Sequence, residues 1–154
     1  PPLMNSFISA VIAAGLVLCA SVQAASVVAP AVDTSALPAL QPGWAEVNPY
    51  RGLPAAITVG QSAFHQACAR CHGQGADGSR APAPDLRRVG GFCQRVRDPA
   101  LHQRCDVDAD QFFLKSVLKG KNKFGIEHMP AWEGVLEPSV VWSIRSYIER
   151  AGRP

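Results

Sequence analysis

Cys68-Ala69-Arg70-Cys71-His72 decides how this chain folds. Two thiols three positions apart can each form a thioether with one vinyl group of a haem, and the imidazole that follows reaches the iron from the same side. That is the c-type attachment pattern. It has rivals. A Cys-x-x-Cys pair also serves as half a zinc site, which needs further Cys or His ligands at suitable spacing, or as a thioredoxin-like redox pair, which gives the following His no role. A haem-free zinc or structural module therefore stands beside the haem reading until the surroundings are read.

Working outward, 154 residues with 47% hydrophobic content allow one domain plus extensions. Phe7 to Ala20 is an apolar run followed by Val22-Gln23-Ala24, a small-residue pattern that suits signal peptidase. Residues 1–24 are expected to be a signal peptide, although no Lys or Arg precedes the apolar run and an uncleaved anchor is the alternative. Cys19 falls inside this run, behind a Leu18 too bulky for a lipoprotein site. Cys68, Cys71, Cys93 and Cys105 then remain. The formal charge of +3 survives removal of the segment, and two haem propionates would reduce it to about +1. Neither value calls for nucleic acid. A monomer in the periplasm, not inserted in the membrane once the signal is cleaved, is expected.

Residues 25–56 are rich in Ala and Pro without periodicity and predict an extended arm, with Ala25 to Leu40 a disordered leader. Trp44 and Tyr50 are costly to expose, so the later part of the arm is expected to pack on the domain of residues 57–154. Thr58 and Gln61 have capping-box spacing and predict a helix start. Ala63, Phe64, Ala67, Cys68 and Cys71 give that helix an apolar face, and Gly60 one turn before Phe64 would admit a crossing helix. After His72 the run Gly73 to Gly78 reads as a loop, and the backbone carbonyl of Pro84 is assigned to hold the second ring nitrogen of His72.

Gly90 to Val107 shows no clear period, and its Cys93 and Cys105 point to a disulfide in an oxidising compartment. Asp108 with Gln111 predicts a second helix with Phe112, Phe113, Leu114, Val117 and Leu118 on its buried face and Gly120 at its end. Lys119, Lys121 and Lys123 crowd the next loop, either as a solvated turn or as a docking site for a redox partner. Met129 is the only Met outside the first segment and is the expected second iron ligand, with His128 its rival. A last helix from Pro138 to Gly152 presents Val141, Ile144 and Ile148 beside Tyr147, to cross the Gly60/Phe64 helix. The side taken by Trp142 stays open.

Over roughly Ala56 to Ala151 the sequence resembles a class I cytochrome c. The residues that carry the likeness are Gly60-x-x-x-Phe64, Cys68-x-x-Cys71-His72-Gly73, Pro84-x-Leu86, Met129-Pro130 and the aromatic-bearing last helix. The resemblance implies a small all-α fold with first and last helices crossing around one covalently bound haem c, His72 and Met129 on the iron, and single-electron transfer. More narrowly, Asn48-Pro-Tyr-Arg-Gly52, Ala83-Pro-Asp-Leu-Arg87 and the Cys93/Cys105 pair resemble PedF-like periplasmic cytochromes c. That likeness implies electrons received from a PQQ-dependent (quinoprotein) alcohol dehydrogenase and passed to a terminal oxidase.

With both axial positions filled the iron has no open site, which makes the protein a carrier and not an enzyme. The enzymatic alternative is a haem peroxidase or gas-binding protein in which Met129 leaves the iron. A domain of roughly one hundred residues is marginal alone, so the haem is also expected to supply core.

Overall fold

The structure is a computed structural model and describes residues 27–80 and 83–153. The expected signal peptide and Cys19 lie outside the described residues. The first helix, α1, spans Pro54–Ala67. Pro54 occupies its first turn, where a missing N–H costs nothing and a fixed φ favours the helical turn. Helix formation therefore begins a turn earlier than Thr58. The capping box expected at Thr58 and Gln61 does not form; the Thr58 hydroxyl donates to the Pro54 carbonyl instead. A four-residue turn, α2 (Ala69–His72), carries the end of the Cys-x-x-Cys-His stretch, and Gly73 breaks it with φ 79, a value an L side chain resists. Leu86–Gly90 forms α3, capped by Asp85 accepting from the Arg87 amide.

Helix α4 runs Pro99–Lys119, not from Asp108. Its cap is Asp98, whose carboxylate accepts the Leu101 N–H at 2.9 Å, with Pro99 again in the first turn. The apolar period cannot reveal the added turns. Pro99 to Val107 is polar and held by the Cys93–Cys105 disulfide, so it needs no buried face to stay helical. Asp108 then lies in mid-helix, and Gly120 ends the helix as expected.

The described chain is mostly helical, as the small all-α fold requires, with two short strands added. Lys121–Lys123 and Ile126–Met129 pair as an antiparallel hairpin, β1 and β2, with an irregularity between Lys121 and Asn122. The final helix, α5, spans Pro138–Ala151 and is buried on nearly every side from Val140 to Glu149. It crosses α1 at Gly60, where an added Cβ would overlap the Ser143 carbonyl, so only glycine permits this approach. Phe64 fills the space beside the crossing, its ring 5.2 Å from that of Tyr147. Trp142 is fully buried.

The arm is not a loose leader. Val27, Val32, Leu37 and Leu40 pack against the core, and the Gln66 amide of α1 both donates to and accepts from the Ala31 backbone. Extended chain sets no period, so these scattered apolar side chains are directed by whatever each one meets. Tyr50 is buried at 2% exposure, with its hydroxyl donating to the Pro38 carbonyl. Trp44 does not follow it; at 41% exposure it rests on the surface.

Candidate haem site

Cys68 links α1 to α2, and Cys71 and His72 complete that short turn. The two thiols are free and not joined to each other. Burial, with a smaller push from Cys71, raises the Cys68 thiol to about 12. A thiol redox pair works through a thiolate favoured by its surroundings, and burial disfavours one at Cys68. The zinc reading fares no better: among the described residues no three His, Cys, Asp or Glu side chains stand together as metal ligands.

His72 is buried, and its Nδ1 lies 3.2 Å from the Pro84 carbonyl. A carbonyl only accepts, so Nδ1 carries the proton and Nε2 keeps its lone pair for a metal. The described part of the loop between them is held by backbone hydrogen bonds. The Gly78 amide donates to the His72 carbonyl at 2.9 Å, and the Leu86 amide to Ala76 at 2.8 Å. The Gln74 carbonyl accepts from Tyr147 of α5 and also faces His65 Nε2 of α1, both at 3.0 Å. Burial, with a further push from Asp77, raises the Tyr147 phenol above its ordinary range. Free paired thiols, an oriented imidazole on the same turn and an apolar interior match the demands of a covalently attached haem.

The other expected residues divide. Met129 ends β2, half-buried and packed against the core, whereas its neighbour His128 is exposed. Cys93 and Cys105 form a disulfide that ties a 3-10 turn at Cys93–Arg95 to α4. Of the three lysines, Lys119 is paired with Glu133 at 2.6 Å, while Lys121 opens β1 opposite Met129 and Lys123 flanks the hairpin turn.

A family model described as cytochrome c oxidase, cbb3-type, subunit III matches residues 55–148. The chain is also 35% identical over 123 residues to cytochrome c550 of Pseudomonas aeruginosa, covering 77% of this chain and 74% of that protein. The chain belongs to the cytochrome c family. No solved structure matches it. As a c-type cytochrome it carries covalently attached haem c with iron, and its activity is electron transfer. No described helix is long and apolar enough to cross a membrane.

The ionic centre of this cytochrome has no complete local signature in the sequence. Asp110 is fully buried on α4 and accepts from the Asn48 amide, Arg51 and Arg145; Arg51 also meets Asp106 and Glu149. These pairs fasten the arm to α4 and α5. The signal was present as Arg145 and Glu149 within the apolar run of α5, where an unpaired charge would be costly. Nothing in local spacing names Asp110 and Arg51 as their partners.

Proposed function

We propose that this cytochrome is a periplasmic carrier of single electrons in which Cys68 and Cys71 hold the haem and His72 and Met129 are its axial ligands. The observation that carries this reading is the hydrogen bond from His72 Nδ1 to the Pro84 carbonyl, on the same turn as the free thiols. Haem c supplies a one-electron couple at its iron. The chain's part would be to hold the iron through Nε2 of His72 and the Met129 thioether, and to keep water from the interior through α1, α4 and α5. Methionine–histidine ligation raises the potential, and full ligation favours outer-sphere transfer over substrate chemistry.

For its partners, the reading takes a PQQ-dependent alcohol dehydrogenase as donor and a terminal oxidase as acceptor. The Asn48-Pro-Tyr-Arg-Gly52 lead-in supports the first through its likeness to carriers of that kind. The description of the matching family, a subunit of an oxidase, supports the second. The disulfide is at home in an oxidising compartment. Lys121 and Lys123 then supply docking charge, with Lys119 contributing little beyond its pair with Glu133.

Attachment is tested on a denaturing gel after expression with haem-maturation machinery. Wild type should keep haem colour and peroxidase stain, and the Cys68→Ser/Cys71→Ser variant should lose both. Colour retained by the double variant would remove these thiols from the role.

A further inference from the structure

The turn that joins β1 to β2 is built against its own backbone preference. Phe124 and Gly125 have φ of 54 and 77, the geometry of a hairpin turn that favours Asn-Gly, yet a bulky aromatic takes the first position. Its ring is 93% exposed, so no burial among the described residues offsets the strain. Ile126 and Phe112 are also exposed nearby in the chain or across it, and Lys121 Nζ stands 4.7 Å from the Phe112 ring. Lys123 Nζ lies 5.8 Å from the Phe124 ring. Among the described residues neither lysine has a carboxylate within ion-pair distance. One carboxylate, Glu127, shares the hairpin, opposite Asn122.

We propose that Phe124 is the anchor by which this cytochrome docks its redox partner, entering an apolar recess on a protein surface rimmed by carboxylates that meet Lys121 and Lys123. An exposed aromatic flanked by unpaired cations is the form an interface centre takes, with the ring supplying contact and the charges supplying approach and register. A protein is favoured over a lipid surface because two ammoniums beside a carboxylate fall short of the four to eight basic residues typical of anionic-membrane patches. The same hairpin carries Met129 at the open end of β2, one strand length from the turn, so that the docking point and the proposed iron ligand lie on one element.

The proposal rests on the carrier reading, and Phe124→Asn tests it because Asn accepts the turn without the ring. Three rates are compared on the haem-loaded protein: reduction by a purified PQQ-dependent alcohol dehydrogenase, oxidation by respiratory membranes of the source, and reduction by ascorbate. The variant should lose about tenfold with whichever macromolecular partner reacts with wild type, keep its ascorbate rate and keep its visible spectrum. A wild type that reacts with the membranes but not the dehydrogenase refutes the donor alone, and the membrane rate still judges Phe124. Equal partner rates in wild type and variant overturn the proposal, as does an altered spectrum, which would assign the ring to the haem pocket. Binding to phosphatidylglycerol vesicles by wild type and not by Phe124→Asn overturns it in favour of lipid. Failure of wild type with both partners overturns it together with the carrier reading.

Discussion

The two proposed sides of the haem are built from different materials. His72 lies on a turn gripped from α1, α5 and the loop to Pro84, with hydrogen bonds converging on Gln74, Ala76 and His72 itself. Met129 closes a hairpin whose strands are exposed along almost their whole length. The contrast has a physical consequence: the imidazole side inherits the stability of the helix crossing, while the thioether side is free to vary at small cost to the fold. If Met129 ligates the iron as proposed, stability and redox tuning fall to separate parts of one small chain.

Breaking the helical side should have the largest effect. Gly60→Val forces a side chain into the Ser143 carbonyl, which is helix backbone and cannot swing aside. We expect a loss of about 3 kcal/mol in denaturant unfolding of the haem-loaded protein. A loss of less than about 0.5 kcal/mol, the scale of a surface substitution, would show that the crossing is looser than described.

On the hairpin side, Met129→Ala should cost only about 1 kcal/mol by lost packing, because the side chain is half-buried. Its effect belongs in the spectrum and the potential, which should fall. Equal stability losses for Gly60→Val and Met129→Ala would erase the contrast.

The smallest effect concerns Glu149, in the charge cluster beneath the arm. Burial pushes its carboxyl above the ordinary range, against the opposing pull of Arg145 and Arg51. With the folded-state value above the unfolded one, the unfolded chain releases this proton first, and the group's contribution falls as pH rises from the ordinary carboxylate range through the raised value. Glu149→Gln should flatten that part of the stability profile in urea titrations across this range. An unchanged profile would mean that Arg51 and Arg145 compensate the burial fully.

The same division governs what could be read from sequence. Cys68 to His72, Gly60 with Phe64, and the Pro138 start of α5 are legible because each rests on local spacing. The helices start at Pro54 and, capped by Asp98, at Pro99, earlier than the expected Thr58 and Asp108, because proline and a disulfide support helix where apolar periodicity is silent. The packing of Val27 to Leu40 and the meeting of Asp110 with Arg51 and Arg145 depend on residues far apart in the chain. No local pattern encodes such meetings, and the strain at Phe124 appears only once the hairpin register is known.

The central claim, a carrier with His72 and Met129 on the iron, is tested most directly by the visible spectrum of the purified ferric protein, followed by carbon monoxide addition to the reduced form. Wild type should show the weak red-end band of sulfur ligation and bind carbon monoxide slowly or not at all, and Met129→Ala should lose the band. A wild type without that band that binds carbon monoxide rapidly would contradict it and make the protein a gas-binding or peroxidatic haem protein.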